Sequence, residues 1–267
     1  MSFLDKLPDQ YRLILCDVWG VVHDGVTIFP GSAERLLQWE REGRMVILLT
    51  NAPRTEEAVA AQLDRLGLPR GAWTHIATSG EAGIAGLLAA DGPVGFIGSA
   101  GDRAILKGRG VVIDDGNEFA DLAVTGIDGN RMNAADYLPE LEDAKARNAT
   151  MHCLNPDMLV IRGGVPEACA GAIAEIYENL GGQVEYYGKP HAHIYEHALK
   201  IGGNPEKSEV LAVGDGLPTD VLGAARFGLD CVFVRGGIHA GEPFPADFAS
   251  QYGLGSWAPV AQVDSLR

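Results

Sequence analysis

Four charged side chains and one hydroxyl stand where they could handle a phosphoryl group. Asp17 ends the apolar run at 13–16 and is followed by Val18, Trp19 and Gly20. Asp215 and Asp220 flank a glycine-containing turn directly after the apolar run at 210–213. Thr50-Asn51 closes the apolar run at 45–49, and Lys189 sits between Gly188 and Pro190 after the run at 184–187. Carboxylates gathered at one place repel each other unless a proton or cation joins them. A few carboxylate oxygens with open positions suit Mg²⁺, which keeps waters and accepts substrate phosphate as a further ligand. A lysine held beside them acts on phosphate as a point charge. Each segment alone also has a plainer reading: an aspartate capping a turn or helix, Thr50-Asn51 as an N-cap, Lys189 as a solvated surface charge.

The elements that must position these groups are legible as alternating apolar runs and helical patterns. Strand-like runs occur at 13–16, 45–49, 94–97, 184–187, 210–213 and 231–234. Helical periodicity occurs at about 33–42, 56–66, 134–147, 166–180 and 193–201, with Pro166 suited to a first helical position and Gly181-Gly182 to a stop. Such alternation predicts an α/β fold built of βαβ units around a mainly parallel sheet, in which ligands bind at the C-terminal strand edge. Asp17, Thr50, Lys189 and Asp215 all follow strand-like runs, so one edge would receive them all. The glycine-rich, acidic stretch at 92–129, with a short strand at 122–125, has a different texture and reads as part of an inserted module.

The 267 residues suffice for about two domains. With 36 acidic and 21 basic residues, the formal net charge of −15 opposes attraction to nucleic acid or an anionic membrane. No apolar run approaches the ~20 residues needed to cross a bilayer, and residues 1–12 carry no secretory pattern. Cys16, Cys153, Cys169 and Cys231 are scattered, without CxxC or zinc spacing, as expected of a reduced, cytoplasmic protein.

Taken in chain order, Asp17, Thr50, Lys189 and the Asp215/Asp220 pair resemble the four motifs of the haloacid dehalogenase superfamily. The long interval between Thr50 and Lys189 is similar to its class IIA branch, the nitrophenylphosphatases and nucleotide or sugar phosphatase-like proteins. Pro30-Gly31, Asn155-Pro156-Asp157 and Gly188-Lys189-Pro190 also fit. The resemblance implies a flavodoxin-like, doubly wound parallel sheet core over 1–79 and 187–267, with an α/β class IIA cap inserted over 80–186. It implies that Asp17 attacks phosphorus to form an aspartyl-phosphate, while Thr50 and Lys189 hold the phosphate. Mg²⁺ would be held by Asp17, the main-chain carbonyl of Trp19, Asp215 and Asp220. Trp19 and Gly20, through their backbone, would join Asn51 and the cap residues Asn155, Asp157 and Arg162 in binding substrate. The expected partner is a small phosphorylated metabolite, and such proteins often form homodimers.

Trp19 departs from this pattern. Phosphatases of the superfamily usually place an aspartate there, which protonates the leaving group and activates water, whereas an indole N–H only donates a hydrogen bond. His23, Asp24 and His191 are near enough in sequence to be considered as substitutes. Two other readings follow: a phosphate-ligand binding protein with little or no turnover, and a dehalogenase, whose members carry an aromatic residue at this position. Against the first stands the retained Asp17. Against the second stand the paired Asp215 and Asp220 and the short interval from Asp17 to Thr50.

Overall fold

The computed structural model describes residues 2–114, 116, 118–162, 165–236 and 244–267, the side chains of Ile161, Arg162 and Val165 excepted. The chain divides into two compact units, one comprising Met1–Thr50, Glu56–Ala77 and Lys189–Arg267, the other Asn51–Thr55 and Thr78–Gly188. In chain order the strands and helices begin with β1 (Leu13–Asp17), α1 (Ser32–Arg41), β2 (Met45–Thr50), α2 (Glu56–Leu66) and β3 (His75–Thr78). Next come α3 (Ser79–Ala89), β4 (Val94–Ile97), α4 (Ala100–Gly108), β5 (Asp121–Val124), α5 (Leu138–Ala146) and β6 (Thr150–Cys153). They continue with β7 (Leu159–Arg162), β8 (Val165–Ala168), α6 (Ala170–Asn179), β9 (Gln183–Tyr186) and α7 (Ala192–Ile201). The last are β10 (Val210–Gly214), α8 (Leu222–Phe227), β11 (Asp230–Val234), α9 (Phe248–Gln251) and β12 (Ala261–Val263).

The first unit is built on a six-stranded sheet of order β12-β11-β10-β1-β2-β3. Every residue of β1 is buried, as is every residue of β10, which explains why their sequences are continuous apolar runs rather than alternating ones. β1 runs parallel to β2 on one side and β10 on the other, with Cys16 opposite both Leu48 and Val213. Numbered along this unit alone, the order is 3-2-1-4-5-6, the Rossmann-type arrangement within the doubly wound class to which flavodoxin also belongs. The order reverses between β1 and β10, and that switch point is where such sheets bind ligands. Leu13, Leu15, Ile47, Leu49, Ile194, Tyr195 and Phe233 pack into the core beneath it.

The second unit has its own parallel sheet, β4-β5-β6-β9, and a separate antiparallel pair, β7-β8. One cluster gathers Tyr137, Leu141, Met151, Ile173 and Tyr177, and another gathers Ile84, Leu87, Val94 and Leu106. Two helix expectations are corrected here. Residues 165–168 form a strand, and α6 begins only at Ala170 and ends at Asn179. Pro166 is exposed and pairs opposite Ile161 on a two-stranded ribbon, where a missing N–H can face solvent at little cost. The helix expected over 134–147 is split into a 3₁₀ turn, Ala134–Tyr137, and α5, because Pro139 cannot donate to the preceding turn and so marks a new start. Among the described residues, no helix is long and apolar enough to cross a membrane.

Candidate active site

Parallel strands bring their C-terminal ends to one edge, and in the first unit this edge collects the charged groups. Asp17 is the last residue of β1, Thr50 the last of β2, and Asp215 follows β10 directly. Asp220 is carried by a wide π-type turn, Leu217–Val221, opened by Pro218. The Asp220 carboxylate accepts from the Gly216 N–H at 3.0 Å and the Thr219 hydroxyl at 3.3 Å through Oδ2. Its Oδ1 accepts from Lys189 Nζ at 2.8 Å. Lys189 also donates to Asp17 Oδ1 and, at 3.3 Å, to the carbonyl of Leu49, the residue before Thr50. Gly20 reaches the site through its backbone: its φ is +89°, and a Cβ there would fall 2.2 Å from Asp215 Oδ2. Only glycine lets the loop after β1 come so close to that carboxylate.

The cluster is buried and its charges do not balance. Asp17, Lys189, Asp215 and Asp220 are each at most 6% exposed. Ligand oxygens of Asp17, Asp215 and Asp220 lie within 4.8 Å of one another. Three carboxylates against one ammonium leave a net charge of −2 when all are ionised. Burial, and then the neighbouring charge of Asp220, push the Asp17 carboxyl well above the usual range, with Lys189 opposing and Asp215 adding to the rise. For Lys189, burial disfavours the charged form, but Asp17 and Asp220 outweigh it and hold the ammonium's pKa well above its ordinary value. An all-oxygen donor set with a deficit of two positive charges fits a divalent cation such as Mg²⁺.

Trp19 lies on the same loop and is 44% exposed. None of the three substitutes considered for an acid at that position has the surroundings of one. His23 is buried, its Nδ1 accepts from the Gly25 N–H at 2.8 Å, and burial lowers its pKa. Asp24 is taken up in a turn, accepting from the N–H groups of Thr27 and Val26, which lower its pKa. Burial, then Arg226 and His193, bring the His191 imidazole down to about 4.

The remaining sequence-derived candidates belong to the second unit. Asn51 Nδ2 donates to Asp157 Oδ1 at 2.8 Å, and the Asp157 N–H donates to Asn155 Oδ1 at 3.1 Å. Ser79, which nothing in the sequence singled out, is fully buried there. Its hydroxyl lies 2.7 Å from the Asn51 carbonyl and 2.6 Å from that of Leu154. Arg162 ends β7, and its side chain lies outside the described residues. Sequence reasoning also passed over Gly216 and Thr219 as the groups that hold Asp220, although the turn that contains them was recognised.

Family comparison agrees with this architecture. Residues 14–112 match the model of haloacid dehalogenase-like hydrolases, and residues 186–256 match a second, HAD-hydrolase-like model. A solved hydrolase of the haloacid dehalogenase-like family from Brucella suis 1330 is 36% identical, with a TM-score of 0.85 and both chains covered in full. The chain belongs to the haloacid dehalogenase-like hydrolases. Similar curated relatives include the 5'-nucleotidase YutF of Bacillus subtilis, 26% identical with 96% of each chain covered. An acid sugar phosphatase of Staphylococcus saprophyticus is 27% identical, with 87% of this chain and 90% of the relative covered. A thermostable NPPase from Geobacillus stearothermophilus is 26% identical with a TM-score of 0.77, over 96% of this chain and 97% of that one. Within this haloacid dehalogenase-like hydrolase, the two family matches carry between them every charged residue of the buried cluster.

Proposed function

We propose that this chain is a Mg²⁺-dependent phosphomonoester hydrolase that works through an aspartyl-phosphate on Asp17, with the second unit serving as the cap that selects substrate. The observation that carries the proposal is the buried cluster of three carboxylates and one lysine at the switch point of the sheet. The protein is a haloacid dehalogenase-type phosphatase, and its relatives' names point to a sugar phosphate, a nucleotide or a similar small metabolite as substrate. Four buried thiols suit a reduced, cytoplasmic setting.

In this reading an Asp17 oxygen attacks phosphorus, the P–O bond to the leaving group breaks, and the acyl phosphate is then cleaved by water, which restores the carboxylate. Lys189 Nζ neutralises charge on the phosphoryl oxygens and holds the attacking carboxylate, while the Thr50 hydroxyl donates to the same oxygens. The Trp19 N–H would complete an anion cradle, whereas that of Gly20, expected to join it, is taken by the His23 carbonyl. Asp17, the Trp19 carbonyl and Asp215 would hold Mg²⁺, with Asp220 as a further ligand or as the partner that fixes Lys189. When bound, Mg²⁺ supplies Lewis-acid stabilisation of the phosphoryl charge. Trp19 donates no proton to the departing oxygen. General acid help is typically worth about 10²- to 10⁴-fold, so leaving groups that are stable as anions are favoured.

Phosphate release from aryl and alkyl phosphates tests the reading, with Mg²⁺ or EDTA, in wild type and Asp17→Asn. Release that disappears with EDTA and in Asp17→Asn is the expected result. Folded protein that binds phosphate esters with Mg²⁺ yet releases nothing would replace the enzyme with a binding protein.

A further inference from the structure

Resting on that reading, the structure assigns Trp19 a role beyond filling the place of a missing acid: we infer that its indole is a fixed stacking surface selecting substrates whose leaving group carries a planar aromatic ring. Isolated exposed aromatics are ordinary on protein surfaces. Trp19 differs in how it is held and in what lies beside it. Its neighbours Val18, Val21, Val22 and His23 are at most 3% exposed, whereas Trp19 is 44% exposed. Its ring meets that of His23 edge to face, with centroids 5.4 Å apart and planes at 78°. On another side it covers Gly25, where φ is +91° and a Cβ would fall 2.3 Å from Trp19 Cη2. His23 is itself locked, because its Nδ1 accepts from the Gly25 N–H. The loop is tied by the Gly20 N–H to the His23 carbonyl at 2.9 Å and by the His23 N–H to the Val18 carbonyl at 3.2 Å.

An indole immobilised in this way loses little conformational freedom on binding, and the residue after it lies against Asp215. A π face and one N–H donor are what it can offer a ligand. The C–H face of a sugar can also pack on an indole, but a nucleobase or a phenyl ring adds π stacking of specific geometry, worth about 1–3 kcal/mol per base. Among phosphorylated metabolites, the preference therefore falls on ring-bearing esters over plain sugar phosphates.

The test uses matched esters with the same kind of leaving oxygen, a primary alkoxide: adenosine 5'-monophosphate against ribose 5-phosphate, and benzyl phosphate against cyclohexylmethyl phosphate. KM is measured with Mg²⁺ for wild type, Trp19→Leu and Trp19→Phe. In Trp19→Leu the ratio of KM for the aromatic ester to that for its partner should rise about 10- to 100-fold in at least one pair, the size of typical aromatic stacking losses. Trp19→Phe should retain most of the discrimination. Unchanged ratios in both pairs for folded Trp19→Leu would overturn the assignment, as would equal loss in Trp19→Phe and Trp19→Leu, which would mark a packing role. Affinities for adenosine 5'-monophosphate and ribose 5-phosphate, measured by calorimetry in Asp17→Asn with and without Trp19→Leu, separate the two proposals. Absence of turnover in wild type with a Trp19-dependent affinity ratio defeats only the hydrolase reading. Turnover with an affinity ratio independent of Trp19 defeats only the stacking surface, and absence of any binding defeats both.

Discussion

The two units bury polar groups in opposite ways. In the second unit the buried polar groups answer one another. His152 bridges the Tyr187 hydroxyl at Nδ1 and Asp121 at Nε2, both at 2.8 Å. The Ser79 hydroxyl meets main-chain carbonyls, and Asn51 meets Asp157. In the first unit Lys189 is shared between two carboxylates while a third lies beside them. Matched networks hold a fold together, whereas a buried excess of charge costs stability unless a ligand neutralises it. The imbalance therefore singles out the candidate site more sharply than burial or polarity does.

Breaking the unbalanced cluster should have the largest effects. Asp17→Asn removes the proposed nucleophile, and phosphate release should fall by about 10⁴-fold or more while the protein stays folded by circular dichroism. Lys189→Met leaves three buried carboxylates without their ammonium. Urea unfolding in EDTA should show a loss of about 3–5 kcal/mol, the usual cost of removing one partner of a buried ion pair, and Mg²⁺ should restore part of it. Gly20→Ala places a Cβ against Asp215 at a positive φ. It should weaken Mg²⁺ binding in a calorimetric titration and cost about 1–3 kcal/mol of stability.

The balanced network sharpens the contrast because its loss should alter stability alone. Tyr187→Phe leaves His152 Nδ1 without its hydroxyl partner and should cost about 1–3 kcal/mol in urea, with kcat per folded molecule unchanged. A kcat that falls with stability would show that the two regions are not separate in function. The smallest effect concerns His191. Its folded pKa of about 4 lies below the unfolded value near 6.5, so between these values the unfolded chain binds more protons. The stability contributed by neutral His191 is thus present above pH 6.5 and is lost as pH falls toward 4. Between pH 7 and 5, Tm should drop less for His191→Gln than for wild type.

Much of the first unit was legible because a strand buried on both faces must be a continuous apolar run, so a carboxylate or hydroxyl at its end stands out. Asp17, Thr50 and Asp215 were marked in this way, and the positions of β1, β2 and β10 followed within a residue. The second unit was harder to read. β6, Thr-Met-His-Cys, hides a histidine whose burial makes sense only with Asp121 and Tyr187 in place, and Pro166 suggested a helix start where the chain forms a ribbon.

Sequence alone determined which residues end the central strands, because apolar periodicity and the break that follows are local properties. It also determined that residue 19 is no proton donor, since that is a matter of side-chain chemistry. Tertiary structure decided what those residues meet. Lys189 reaches an aspartate 172 positions away and another 31 positions away, and Asn51 is engaged by an aspartate 106 positions on. Tertiary structure also decided that Gly20 must lack a side chain and that the Trp19 ring is held against His23 and Gly25. Such contacts depend on the register of parallel strands and the path of loops between them, which are set by packing of the whole unit rather than by any short stretch of chain.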